Sequence, residues 1–399
     1  MFSDRTNWTL SQNRLAQAVE QVRASGAKIL DLTVSNPTRV GLRYDSKAIL
    51  EAFASPRSLD YDPQPLGLLP AREAVSAYYA THAVTLDPQR IVLTSSTSEG
   101  YSFVFRLLCN AGDELLVPKP SYPLFEFLAD LQDVKLVPYP LLYDHGWQID
   151  FTMMKEAVTP RTRGVVVVHP NNPTGSFVAR EERGPLDEFC RDHRLALIVD
   201  EVFLDYDFDG DTRAKAAHMA GREKSGTFAA NHQVLTFTLS GLSKICALPQ
   251  MKVAWVVTTG PGADVTAAMA RLEVIADTYL SMNAPVQWAL PTLLDQRKTI
   301  QPQLLEAARR NLAELDRQLV ARGDCRRLEV QGGWNAVLRV PVTQPDEELA
   351  ISLLRKESAL VHPGHFYDFP SDGYLVLSLI CPEQGFAEGV ARVLKHMES

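Results

Sequence analysis

Six short runs constrain this chain more than anything else in it: residues 91–93, 114–117, 165–168, 195–199, 234–239 and 252–257 are apolar, rich in β-branched side chains, and do not alternate with polar residues. A strand with one wet face alternates; a strand covered on both faces does not. Helical patterns at 99–109, 122–131 and 180–193 lie between the runs. Strand, helix and strand in succession predict an α/β fold with a mostly parallel sheet between helices. Past residue 285 the pattern changes. A long helical stretch at 285–322, punctuated by Pro291 and Pro302, leads to strand-like runs at 328–330, 336–340 and 374–380 and helices at 346–357 and 386–397. That second region reads as a smaller α+β domain, and 399 residues are enough for two domains.

Composition removes several classes. The net charge of −8, with Lys and Arg scattered, offers no basic face for a nucleic acid. No apolar run reaches membrane-span length. The first ten residues carry Asp4, Arg5 and Asn7 and form no signal region. The five cysteines fit neither a CxxC metal pattern nor a disulfide framework. The expectation is a reduced, cytoplasmic protein without a structural metal, in which Cys246 is packing.

In a parallel sheet, ligands bind beyond the carboxyl ends of the strands. After 91–93 comes Thr94-Ser95-Ser96-Thr97-Ser98-Glu99-Gly100, a hydroxyl-rich entry to a helix and so an anion site or an ordinary N-cap. Tyr122 follows 114–117 and is either a stacking aromatic or core. His169-Pro170-Asn171-Asn172-Pro173-Thr174-Gly175 follows 165–168, a turn or a loop that aims an Asn amide at a ligand. Asp200 ends the buried run 195–199, where a carboxylate needs a partner. Ser240-Gly241-Leu242-Ser243-Lys244 follows 234–239, with a second cation at Lys252. Each piece alone has a plain structural explanation. Together they supply handles for a phosphate, an aromatic ring, a ring nitrogen and an aldehyde, which are the handles of pyridoxal 5'-phosphate.

In this order the motifs resemble those of the class I/II aminotransferases, members of the fold-type I pyridoxal-phosphate enzymes, over nearly the whole chain. The resemblance implies a large domain with a mostly parallel seven-stranded sheet between helices, at 46–285, and a small α+β domain at 286–399. An N-terminal segment, 1–45, borders the site and packs with the small domain. It implies Lys244 as the Schiff-base lysine and Asp200 under the pyridine nitrogen, the two catalytic residues. Ser96, Thr97 and Ser98 form the phosphate turn, with Gly241, Ser243 and Lys252 beside it. Tyr122 stacks on the ring and Asn172 donates to the phenolic oxygen. Tyr61 reaches the phosphate in the neighbouring subunit of a homodimer with shared sites. The implied reaction moves an amino group between an unidentified amino donor and a 2-oxo acid, in amino acid metabolism.

Three positions depart from the family pattern. Phe203 stands where a tyrosine usually donates to the phenolic oxygen, which leaves Asn172 and raises the question of Tyr206. Lys252 replaces an arginine and keeps the charge without the bidentate fork. Val376 stands where an arginine clamps the substrate carboxylate. Either another group does that work, or the substrate has no carboxylate there. Ser35, Arg39, Arg43, His365 and Tyr367 are the candidates near the substrate. The third departure also keeps open a lyase, decarboxylase or racemase on the same cofactor, and a non-catalytic cofactor-binding protein stands as the reading from another class.

Overall fold

Both faces of the expected sheet are covered. The computed structural model describes residues 1–208, 223–280, 282–320 and 323–398. A two-residue strand, β1 (Leu30–Asp31), precedes eight strands of one large sheet: β2 (Ile91–Thr94), β3 (Glu114–Lys119), β4 (Lys135–Tyr143), β5 (Trp147–Ile149), β6 (Thr162–Val168), β7 (Ala196–Asp200), β8 (Thr236–Gly241) and β9 (Ala254–Thr259). Their spatial order is β2-β9-β8-β7-β6-β3-β4-β5. The central pairs β3–β4, β3–β6, β6–β7 and β7–β8 are parallel. The pairs β2–β9, β8–β9 and β4–β5 are antiparallel.

Strand β6 shows why its sequence does not alternate. Val165 and Val167 pack with Leu186, Phe189 and Cys190 of the helix Arg180–His193. Val166 and Val168 turn the other way, into the cluster of Phe103, Val104 and Phe105 on the helix Thr97–Leu108. Burying each valine contributes about 2 kcal/mol relative to leaving it in water, so a polar residue is disfavoured at every one of the four positions.

The sheet has eight strands where seven are expected. The additional one, β5, folds back on the end of β4 through the turn at Asp144, His145 and Gly146. Strand β4 is missing from the six apolar runs because Pro138 and Pro140 interrupt it. Its first six residues pair only with β3, and such an edge tolerates proline.

The C-terminal region holds a second sheet made of β10 (Arg326–Arg327), β11 (Asn335–Arg339), β13 (His362–Pro363) and β14 (Tyr374–Ser378), in the order β10-β11-β14-β13 and antiparallel throughout. Between β11 and β13 in the chain lies β12 (Ala359–Leu360), which pairs with β1. One face of the second sheet, through Ala336, Leu338, Leu375 and Leu377, packs on the helices Arg297–Leu319, Asp346–Glu357 and Glu383–Met397. Leu15 and Ala18 of the helix Arg14–Ala24 join the same cluster. The other face, through Val337 and Val376, packs on Trp147, Leu328, Tyr367 and Phe369.

Two local expectations fail. Residues 328–330 form no strand; Leu328 N–H bonds Val337 C=O at 2.9 Å and the pairing goes no further. The stretch 285–322 is two helices, Ala284–Asp295 and Arg297–Leu319, that break at Gln296, with Pro291 and Pro302 inside them. Burial of Leu290, Leu293 and Leu294 offsets the hydrogen bond that Pro291 removes. Residues 321–322, the end of that stretch, lie outside the described residues.

Candidate active site

A cavity of about 410 Å³ opens at the carboxyl ends of β6, β7 and β8 and is closed from the other side by β11, β13 and β14. Strand β7 carries Asp200 to its rim. There Val202 N–H donates to Asp200 Oδ1 at 3.0 Å and Tyr101 Oη donates to Oδ2 at 3.1 Å. Strand β8 ends at Gly241, where a Cβ would come within 2.8 Å of both the Ala254 Cβ and the Val253 carbonyl, so only glycine fits. The next turn presents Ser243 and Lys244 to the cavity. Tyr206 Oη donates to the Lys244 carbonyl at 2.6 Å and fixes the backbone that carries the amine. The Lys244 Nζ lies 4.7 Å from the centre of the Trp334 ring and 5.5 Å from that of Phe203.

The helix Thr97–Leu108 starts at the same cavity. Ser96 Oγ accepts from Glu99 N–H at 3.2 Å, and Glu99 Oε2 accepts from Ser95 N–H at 2.6 Å. Gly100 N–H bonds the Ser96 carbonyl. The N–H groups of Thr97 and Ser98 have no such partner among the described residues and sit at the positive end of a twelve-residue helix dipole. Opposite, Asn172 lines the cavity with its amide orientation set, because Asn335 Nδ2 donates to Asn172 Oδ1 at 2.8 Å. The Asn172 Nδ2 is left as its donor.

Electrostatics single out two of these groups. Burial pushes the Asp200 carboxyl up to about 6 against the opposing pull of Val202 N–H, Tyr101 and Lys244. Burial brings the Lys244 amine down to about 8, with Asp200 acting the other way. A carboxylate and an amine in one cavity, each shifted toward its neutral form, is the arrangement in which proton transfer near neutral pH is easiest.

The structure therefore gathers Ser35, Ser96, Thr97, Ser98, Tyr122, Asn172, Asp200, Phe203, Gly241, Ser243, Lys244 and Tyr367 around one cavity. Six other candidates lie elsewhere. Lys252 is exposed, at the end of the turn Pro249–Met251. Tyr61 is 79% exposed. Arg39 and Arg43 are exposed, and Arg43 borders a separate groove with Gln303 and Arg310. His365 points away, exposed, one side of the turn from the buried Tyr367. Val376 is 1% exposed and is packed beneath Tyr367 and Phe369, so it is core and not lining. Tyr206 does not stand in for the tyrosine absent at Phe203, because its hydroxyl is engaged with the Lys244 carbonyl.

Sequence reasoning missed Thr33, Val34, Tyr101, Trp334, Asn335, His362 and Ser378, all of which line the cavity. Tyr101 had a signal: it lies four residues after Thr97 and so on the same helix face. The others come from the N-terminal segment and the second sheet, where no motif precedes them except Gly332-Gly333 before Trp334 and Pro363-Gly364 after His362. Among the described residues no group of three His, Cys, Asp or Glu is placed to hold a metal ion, and no helix is long and apolar enough to cross a membrane.

Known proteins share sequence and fold with this chain. The family signature of aminotransferase class I and II matches residues 27–384. The glutamate–pyruvate aminotransferase of Escherichia coli is 28% identical over 282 residues, which cover 70% of this chain and 67% of that protein. The alanine aminotransferase of Mycobacterium tuberculosis is 26% identical over 388 residues, 94% of this chain and 87% of the relative. The solved structure of an alanine aminotransferase from Pyrococcus furiosus superposes with a TM-score of 0.86 at 20% identity, with all of both chains covered, and so shares the fold.

Proposed function

The chain belongs to the aminotransferase class I and II family and is an enzyme that transfers amino groups, and from that premise we propose that it works with pyridoxal 5'-phosphate held in the cavity at Lys244. The residues present suit that group. The unpartnered N–H groups of Thr97 and Ser98, with the Ser96 and Ser98 hydroxyls, would take its phosphate. Tyr122 would lie against the ring, Asn172 Nδ2 would donate to the phenolic oxygen, Asp200 would pair with the ring nitrogen and Lys244 would hold the aldehyde. The carrying observation is that Asp200 and Lys244, both shifted by burial, share this cavity with an open helix N-terminus.

When bound, the cofactor supplies a sink for the electron pair left at the substrate Cα. The chain does the rest. Asp200, held by Tyr101 and Val202 N–H, would supply a fixed negative charge to the ring nitrogen. Lys244 Nζ, brought down to about 8, has enough neutral amine near neutral pH to take a proton from Cα of the amino donor and, in the return half-reaction, to deliver one to Cα of the product formed from the 2-oxo acid. Tyr206 holds the lysine backbone while the side chain moves that proton. Trp334 and Phe203 cover the amine and keep bulk water from it.

The relatives' names make alanine, glutamate and pyruvate the first substrates to assay. The reading also divides the chain into an N-terminal segment to residue 45, a cofactor domain to 285 and a small domain beyond. It makes the working unit a cytoplasmic homodimer in which exposed Tyr61 reaches the partner's phosphate. Borohydride reduction of the purified protein, followed by digestion, tests the core of the proposal. A pyridoxyl group is expected on the peptide that contains Lys244, and recovery of that peptide unmodified overturns the assignment.

A further inference from the structure

Resting on the reading above, a second question follows from the chemistry of the substrates. A 2-oxo acid carries its carboxylate next to the reacting carbon, and a buried carboxylate needs a donor. Lys244 is committed to the reacting centre. Among the described residues lining the cavity, the one other side chain with a basic nitrogen is His362.

His362 is built into place. It stands on β13 directly across from Val376 on β14, and directly opposed residues in an antiparallel pair share a sheet face with Cβ atoms about 5 Å apart. Val376 is sealed into the core, so the group that rises from this part of the sheet toward the cavity is the histidine. Tyr367 Oη lies 3.0 Å from His362 Nδ1. In the tautomer in which that hydroxyl donates to Nδ1, the ring proton sits on Nε2. Tyr367 is itself buried, with its carbonyl accepting from Ser121 N–H at 2.9 Å, so the pair is rigid. The Nε2–H has no protein partner among the described residues. Ser378 and Asn335, opposite one another on β14 and β11, supply polar neighbours on the same sheet face.

We infer that His362, oriented by Tyr367, is the specificity-determining residue that receives the substrate carboxylate in this cavity. A neutral Nε2–H donates to the carboxylate oxygen, and the incoming charge in turn favours the imidazolium. Burial holds the free ring low and Asp31 acts in the opposite direction, so the ring is neutral until the anion arrives.

The test uses the cofactor-loaded enzyme and two probes of one shape, propionate and its uncharged amide, propionamide, with binding followed by calorimetry. The wild type is expected to bind propionate about tenfold more tightly than propionamide, a charge-assisted bond against a neutral one. In His362→Leu the preference falls to about twofold or less. His362→Gln, whose amide nitrogen reaches the place of Nε2, recovers part of it. Equal binding of the two probes by the wild type overturns the inference, as does a full preference in His362→Leu, which would assign the carboxylate to another donor. Should the leucine variant fail to fold, proton NMR of the wild type decides. Propionate must then raise the titration midpoint of one histidine resonance, the one absent from His362→Gln, and a spectrum without that shift refutes the assignment. The cofactor's visible absorbance is read in the same samples. Its absence from the wild type would count against the functional reading, whereas the probe preference reports on His362.

Discussion

The two ends of the cavity are made differently. At the end formed by β7, β8 and the helix Thr97–Leu108, several of the fixing groups lie within a few residues of what they hold, and Tyr101 adds a bond to Asp200 from the helix. Val202 N–H sits two residues from Asp200, Ser96 caps its own helix, and Gly241 lets β8 turn directly into Lys244. At the end formed by β11, β13 and β14, the lining is Trp334, Asn335, His362, Tyr367 and Ser378, drawn from a different sheet whose strands must pair to bring them together. The first end fixes the electrostatics that any substrate meets. The second is where selection between substrates can change without disturbing that chemistry, because its groups touch Asp200 and Lys244 through few bonds.

The division is most easily broken at Asp200. Asp200→Asn keeps the shape and removes the charge, and is expected to lower kcat/KM by about 10²- to 10³-fold, the usual range for loss of a preorganised electrostatic partner. The pH profile sharpens the point. Burial raises this carboxyl to about 6 in the cofactor-free protein, so its affinity for pyridoxal phosphate should fall as pH drops through that value and the charge is lost. The asparagine variant should show no such limb. A variant that keeps both its activity and its acid limb would move the electrostatic centre away from this end.

Lys244 tests the same end through stability. Its amine is lowered from 10.5 to about 8 by burial, so in the cofactor-free protein its favourable contribution is present above 10.5 and is lost as pH falls through about 8. At neutral pH the folded state therefore carries a desolvated ammonium. Lys244→Met is expected to stabilise the cofactor-free protein there by about 1–3 kcal/mol, with the gain fading toward pH 10.5. Thermal melts of both proteins across that range check it; a difference that grows with pH has the wrong sign and refutes the buried-ammonium account.

The bridge between the ends is the bond from Asn335 Nδ2 to Asn172 Oδ1. Asn335→Leu frees the Asn172 amide to rotate and is expected to weaken cofactor affinity about tenfold, the lower range for loss of a group that orients a ligand. Titration of the cofactor-free protein with pyridoxal phosphate measures it. A hundredfold loss would mean that the second end takes a direct part in holding the cofactor.

The same contrast explains what was legible in the sequence. Runs such as 165–168 encode two covered faces in composition alone, and Asp200, Asn172 and Lys244 each sit one to five residues past such a run. Parallel topology then brings their strand ends together, so order along the chain becomes proximity in space. Strand β4 escaped because Pro138 and Pro140 break its pattern, and an edge strand does not need an unbroken one. His362 and Asn335 escaped for a different reason. Their roles depend on β13 and β11 flanking β14 in one register, and nothing within a few residues of either records that pairing. Val376 misled in the opposite sense: alternation along β14 puts it on the face that carries Ser378, but Tyr367 and Phe369 cover it.

The smallest expected effect is at Lys252, where position in the chain and position in space disagree. Eight residues after Lys244 it looks like part of the anion site, yet it is exposed, in a left-handed conformation with φ of 54°, and does not line the cavity. A cation in water is screened within a Debye length of about 8 Å at physiological salt, and an exposed charge adds about 0–1 kcal/mol. The N–H groups of Thr97 and Ser98, half-buried at the cavity wall and backed by the helix dipole, are screened less and should hold the phosphate without it. Lys252→Ala is therefore expected to weaken pyridoxal-phosphate affinity by about two- to threefold at low salt, with the difference vanishing as salt is raised. Equilibrium titration at two ionic strengths measures both quantities. A loss beyond tenfold that persists at high salt would mean that the lysine reaches over the rim to the phosphate, and the first end of the cavity would then extend to a cation that this structure leaves in solvent.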